Sequence, residues 1–335
     1  MKLLEVNNIG FSYEKGKTIF KNINFSVGEG EVLCIVGPNG CGKTTLVDCI
    51  LGMNKPSCGE IYLNGKNIEE LNAKEFARLV AYVPQGHKST FAYTVLDIVT
   101  MGRTYATRIF SPPGEKEREI AREALEMVGM EGFEAREYTT LSGGELQLVI
   151  VARAIAQQSK LLIMDEPTSH LDFTHEMRVM EIITKLVKEK GLSIVMATHF
   201  LNQAYFLENA GIQTRVALMG GENFSQMGTP SAVLNPENLE KTFNTHEELK
   251  MIFLSILKQY QSEAQYSYLS IQSDLLALLH LLCKHHLVEE VSGKIATSNQ
   301  LNQEILDYIH EHYNDKLSLE DVSLHFNFSR EHFAR

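Results

Sequence analysis

The sequence has no CxxC pair, no surplus of basic residues and no uninterrupted apolar run of membrane-spanning length, and each absence removes a class of function. Its five cysteines (Cys34, Cys41, Cys49, Cys58 and Cys283) leave an odd one, which fits free thiols in a reducing cytosol better than a disulfide framework. Lysine and arginine total 31 against 42 aspartates and glutamates, and the net charge of -11 argues against broad binding to nucleic acid or acidic membrane. Any DNA contact must be local. The most apolar stretches, Met251 to Leu257 and Leu275 to Val288, fall short of the roughly 20 residues of a spanning helix, and His280, Lys284, His285 and His286 interrupt the second. The N-terminus MKLLEVNNIGF alternates like a strand and lacks the basic region and apolar core of a signal peptide.

What is present is an ordinary globular composition, 44% hydrophobic and 22% charged, over 335 residues. A single core stops growing near about 250–300 residues, so a main domain with an appended unit is expected. Leu3 to Tyr13 and Thr18 to Val27 read as paired strands, and Val32 to Val36 is a continuous apolar run of the kind a doubly buried strand shows. Further apolar runs, Leu161 to Met164 and Ile194 to Ala197, alternate with helical segments at Thr44 to Leu51, Glu145 to Ala156 and Thr174 to Lys190. This is an α/β pattern with a mostly parallel sheet. Between them, Phe91 to Thr140 lacks strand runs and carries helical periodicity at Ile120, Ala124, Leu125 and Val128, so it reads as a helical insert. Strand runs cease after Phe243, and a domain boundary is placed near residue 246.

Gly37-Pro38-Asn39-Gly40-Cys41-Gly42-Lys43-Thr44-Thr45 follows the buried strand and opens a helix, the context that makes the GxxxxGK[ST] pattern a phosphate cradle. Glycines let backbone N–H groups converge on phosphates, and the helix N-terminus adds a favourable dipole. Lys43 is assigned to the β- and γ-phosphates and the Thr44 hydroxyl to Mg²⁺. Downstream, the apolar strand Leu161 to Met164 runs into Asp165-Glu166, placing two carboxylates at the carboxyl edge of the sheet, where ligands bind in open α/β folds. Strand alternation then predicts that the two point opposite ways, Asp165 toward Mg²⁺ and Glu166 toward the attacking water.

With Leu141-Ser142-Gly143-Gly144-Glu145, the chain over residues 1 to 246 resembles the ABC-type phosphate-loop ATPases. The resemblance implies an antiparallel N-terminal β subdomain, a mostly parallel core and a helical subdomain over about 87–140. It also implies that Tyr13 stacks on adenine, that Gln85 links the metal site to a membrane partner, and that Ser169-His170-Leu171-Asp172 contacts a dimer mate. His199 corresponds to the γ-phosphate sensor. Ser142, Gly143 and Gly144, with Glu145, precede a helix and offer donors and a positive dipole end to an anion; in the family that anion is the γ-phosphate held by the opposite subunit. The implied assembly is a head-to-tail pair of identical subunits around two ATP molecules. Its further partners are an integral-membrane permease and, indirectly, a substrate-binding protein, at the cytoplasmic face of the membrane. Ala81 to Gln85 and Thr94 to Arg103 resemble importers of iron chelates, haem, cobalamin and molybdate-type anions. Leu146, Leu148 and Phe200 depart from the family pattern, which predicts altered packing or partner choice. A non-transport ABC ATPase and a transcription regulator are the competing readings.

Cys41 sits beside Lys43 at a helix N-terminus, an environment expected to lower a thiol pKa, although a small loop residue with an incidental side chain explains it more simply. Residues 247–298 read as a helical linker, and 299–335 resemble the start of an AraC-family helix-turn-helix. The chain ends early in the would-be recognition helix, so sequence-specific DNA binding is not expected. His280, Cys283 and His286 share a helix face with Leu276, Leu279 and Leu287, which reads as packing with no metal bound.

Overall fold

The structure, a computed structural model, describes residues 2–13, 16–86, 92–106, 113–169, 171 and 173–243. The linker, the helix-turn-helix, the boundary near 246, Cys283, His170 and Asp172 lie outside the described residues.

Strands β1 (Lys2–Tyr13) and β2 (Lys17–Gly28) pair antiparallel, as their alternation requires, and β4 (Cys58–Leu63) and β5 (Lys66–Asn67) extend them into a sheet ordered β2-β1-β4-β5. The second sheet has six strands. Its order is β10 (Asn223–Gly228), β9 (Thr214–Gly220), β3 (Val32–Val36), β8 (Ser193–Thr198), β7 (Leu161–Asp165) and β6 (Val80–Val83). All its pairings are parallel except β10 with β9.

Every residue of β3, β7 and β8 is buried because this sheet divides two cores. Val32, Cys34 and Val36 face one core with Leu162, Met164, Ile194 and Met196; Leu33 and Ile35 face the other with Ile163, Val195 and the inward residues of β1 and β2. The continuous apolar runs in the sequence are therefore period-2 patterns serving two apolar faces at once.

Helix α1 (Lys43–Ile50) packs beneath the second core through Leu46, Val47 and Ile50. The helices of the insert pack on the first. Helix α2 (Ala73–Leu79) precedes β6; α3 (Val95–Thr100) starts at a Thr94–Asp97 capping box, and α4 (Glu115–Met127) buries Ala121, Ala124 and Leu125 against α5 (Gly143–Ala156). An isolated Thr94–Glu137 bridge ties the entry of the insert to its exit. Leu148 is buried in the same core and Leu146 packs partly against it. Helices α6 (Phe173–Lys190) and α7 (Leu201–Asn209) follow β7 and β8, and α8 (Pro230–Val233) and α9 (Pro236–Phe243) close the described chain. No helix among the described residues is long and apolar enough to cross a membrane.

Candidate nucleotide-binding site

The loop between β3 and α1 is shaped by glycines at two positions of different kind. A Cβ on Gly37 would lie 2.3 Å from the Met219 carbonyl oxygen, so close backbone packing demands glycine there. Gly42 adopts φ 104°, a left-handed conformation, and its Cβ would meet the Ile19 methyl at 2.7 Å. The Lys43 ammonium is buried under this loop and donates to the carbonyls of Gly37 at 2.8 Å and Pro38 at 3.1 Å.

Asp165 is the last residue of β7 and is buried. Burial raises its carboxyl pKa; a hydrogen bond from the Thr44 hydroxyl and the charge of Lys43 oppose that rise, while the Glu166 charge adds to it. Its Oδ1 has no hydrogen-bond partner among the described residues. A buried carboxylate oxygen left unpaired beside a threonine hydroxyl suits a hard divalent cation such as Mg²⁺, which takes oxygen ligands.

Glu166 does not continue the strand. It turns into the left-handed region at φ 45°, which costs a non-glycine residue about 1–3 kcal/mol, and it is held there by its N–H donating to the Ala197 carbonyl at 2.8 Å. The strand alternation expected to part the two carboxylates therefore ends at Asp165, and the direction of Glu166 is set by this turn. Three groups converge on the Glu166 carboxylate. The Gln85 amide donates to Oε2 at 2.9 Å, His199 Nδ1 lies 3.4 Å from Oε2, and Lys43 Nζ lies 3.7 Å from Oε1.

Gly42, Lys43, Thr44, Gln85, Glu166 and His199 line an open cleft of about 660 Å³ together with Tyr13, Asn39, Gly40, Thr45, Ser169 and two residues that sequence reasoning had not placed there, Ile19 and Phe200; Asp165 lies outside its lining. Tyr13 stands half exposed at its mouth, edge-on to Phe11 with its hydroxyl 3.4 Å from Thr45 Oγ1. Phe200 packs against the His199 ring at 4.0 Å between centroids. The two rings are tilted by 38°, so Phe200 gives His199 an apolar neighbour.

At Cys41 the lowered thiol pKa expected beside Lys43 does not appear, and the simpler reading of a small loop residue fits. Burial raises its thiol pKa and outweighs the lowering by Lys43 and by backbone hydrogen bonds. Its Sγ tucks in against Gly37, where a Cβ would approach it to 2.8 Å. A thiol so placed packs the loop and is not activated.

Ser142, Gly143, Gly144 and Glu145 do not line this cleft. Ser142 caps α5: its Oγ accepts from the Glu145 N–H at 3.3 Å, and the Glu145 carboxylate accepts from the Ser142 N–H at 2.8 Å. The Glu145 carboxylate is engaged in this box, whose hydrogen bonds lower its pKa. The Ser142 hydroxyl also bonds the Glu145 carboxylate, so serine and glutamate are held to each other through both backbone and side chain.

The profile of the family described as ABC transporter matches residues 20–169. An uncharacterised ABC transporter ATP-binding protein of Haemophilus influenzae is 40% identical over 247 residues, 74% of this chain and 91% of that protein. Among solved structures, an inward-facing ABC transporter described as metal-chelate type superposes with a TM-score of 0.64 at 35% identity, covering 73% of this chain and 90% of that one. A dimeric ATP-binding cassette in a post-hydrolysis state with ADP and Pi gives a TM-score of 0.58 at 28% identity, covering 68% and 98%. The phosphate loop, the paired carboxylates and the capped signature helix thus stand in a fold shared over most of these relatives' length, and the chain belongs to the ABC transporter family as an ATP-binding, ATP-hydrolysing subunit.

Proposed function

We propose that this subunit powers an importer of a metal chelate, such as an iron–siderophore, haem, cobalamin or a molybdate-like anion. It pairs with a second, identical subunit and docks on a separate permease at the cytoplasmic face of the cell membrane, with a substrate-binding protein as an indirect partner. One observation carries the reading: Lys43, Gln85, Glu166 and His199 converge in one cleft, whereas the signature donors Ser142, Gly143 and Gly144 head a different helix outside it. Each chain holds half of two sites. Apposition of two chains head to tail would complete both, and a relative bound to ADP and Pi is dimeric. The metal-chelate assignment is supported by the metal-chelate type neighbour and by the stretches Ala81 to Gln85 and Thr94 to Arg103.

In this mechanism Tyr13 offers its ring to adenine, and the N–H groups from Gly37 to Thr45 surround the phosphates. Lys43 supplies a point charge at the β- and γ-phosphates. Thr44, Asp165 and Gln85 would hold Mg²⁺, which when bound neutralises phosphate oxygens and orients them for in-line attack. Glu166 accepts the proton of the attacking water as its oxygen bonds to the γ-phosphorus. The bond to the ADP oxygen breaks, so ATP and water give ADP, phosphate and a proton. His199 contacts the γ-phosphate, and the opposite subunit's signature N–H and hydroxyl groups reach it from the other side, with the loop from Ser169 to Asp172 at the dimer contact. Loss of the shared phosphate removes those contacts and opens the dimer.

The test combines the purified chain carrying Glu166→Gln, saturating Mg-ATP and a measure of mass in solution. Dimerisation that needs ATP supports the reading; a chain that stays monomeric, and whose wild type shows no turnover with its permease, removes it. Uptake of an iron chelate by permease-containing vesicles then tests the substrate class.

A further inference from the structure

Gln203 is buried to 1% exposure in α7 and uses its amide fully. Its Oε1 accepts from the Thr198 hydroxyl at 2.9 Å, and its Nε2 donates to Thr168 Oγ1 at 2.5 Å and to Glu176 Oε1 at 3.0 Å. The orientation is forced. The Glu176 carboxylate can only accept, so the amide nitrogen must face it, and Oε1 is left to accept from the Thr198 hydroxyl, which itself accepts from the Phe200 N–H at 3.0 Å.

Four segments meet at this one amide. Thr198 ends β8 immediately before His199; Thr168 lies in the turn two residues after Glu166; Glu176 belongs to the first part of α6; and Gln203 itself lies on α7. The residue before Glu176 carries the connection onward. The His175 ring lies over Gly144, so closely that a Cβ there would come within 2.3 Å of its Cδ2. Gly144 heads α5, the helix whose N-terminus is the donor half-site. A satisfied network whose centre, Gln203 with Thr168 and Thr198, is buried favours one arrangement, because displacement there leaves a desolvated polar atom unpaired.

We infer that Gln203 is a positioning residue that couples the two half-sites of one subunit: through Thr198 and Thr168 it senses the segments bearing His199 and Glu166, and through Glu176 and the His175–Gly144 contact it sets the signature turn offered to the other subunit. This rests on the dimer reading above. A γ-phosphate bound at a subunit's own His199 and Glu166 would thereby bias the donors that the same subunit presents to its mate. Both sites then fill together.

The test uses the full chain in the Glu166→Gln background for dimerisation and the Glu166 chain for turnover, with Gln203→Leu, Glu176→Leu and Glu176→Gln compared. Glu176 is only partly buried, so its variants are expected to fold where Gln203→Leu is too unstable to purify. Glu176→Leu should bind Mg-ATP as a monomer within about threefold of its parent. It should lose on the order of tenfold in ATP-driven dimerisation and in kcat, with KM little changed. Glu176→Gln, whose amide oxygen still accepts from Gln203, should restore both to within about twofold. Wild-type dimerisation and turnover in Glu176→Leu, equal damage in Glu176→Gln, or parallel loss of monomer ATP binding would each overturn the coupling. Failure of the parent itself to dimerise would instead remove the dimer reading.

Discussion

The side-chain amide of Gln85 donates to the carboxylate of Glu166 at 2.9 Å, joining the end of β6 to the end of β7 at the point where the phosphate-loop lysine and His199 also arrive. A general base gains from neighbours that fix its orientation. Removing the carboxylate should therefore separate binding from chemistry. Glu166→Gln is expected to keep ATP affinity near that of the parent while turnover falls by about 10²–10⁴, measured by phosphate release and equilibrium nucleotide binding. Unchanged turnover would refute the role.

The conformation of Gly42 gives a second expectation. At φ 104°, with the Ile19 methyl 2.7 Å from a built Cβ, alanine is strained and crowded together. Gly42→Ala should destabilise the chain by about 1–3 kcal/mol and weaken ATP binding more than stability alone explains. Thermal unfolding and nucleotide titration on the same protein separate the two effects.

Asp165 carries a buried oxygen with no partner among the described residues. Burial and the neighbouring Glu166 charge outweigh the support from Thr44 and Lys43, so Asp165→Asn should stabilise the chain without nucleotide by about 1 kcal/mol and abolish Mg²⁺-dependent turnover. A destabilised variant with intact turnover would show that the carboxylate is paired in solution.

Thiol chemistry should follow burial. Cys34 and Cys49 have pKa values pushed up to about 12 by burial, Cys41 is raised as well, and Cys58 is exposed. Among these four, iodoacetamide at mildly alkaline pH should label Cys58 first and leave Cys34 and Cys49 unmodified, read by peptide mass mapping. The linkage has one sign. Because the folded values lie above the ordinary thiol value of 9.0, the unfolded chain loses these protons first, and stability falls as pH rises from about 9 toward 12.

The signature turn makes the last expectation. Gly144→Ala places a methyl within 2.3 Å of the His175 ring, so dimerisation in Mg-ATP should weaken while ATP binding by the monomer persists. Equal loss of both, followed by nucleotide titration and light scattering, would deny the turn a role confined to the partner's site.

Much of this was legible in the residues themselves. The strands from Leu3 to Tyr13, Thr18 to Val27 and Val32 to Val36 appear where alternation and apolar runs place them, and the helices beginning at Lys43, Gly143 and Phe173 start within a few residues of their expected positions. Such features are local, because the backbone period and the capping chemistry depend on neighbours in sequence. The short strand from Val80 to Val83 and the outer strand pair from Thr214 to Gly228 were less legible, since pairing partners far along the chain define them.

The sequence by itself determined the chemical inventory: a glycine loop ending in Lys43 and Thr44, an acidic pair after a buried strand, and a serine-glycine helix cap. Tertiary structure alone decided three things: that Glu166 leaves the strand in a left-handed turn, that Cys41 is raised by burial, and that Gln203 ties four segments together. The physical reason is common to all three. Desolvation and hydrogen-bond satisfaction depend on atoms brought close in space from distant parts of the chain, and no local pattern of residue types encodes that proximity.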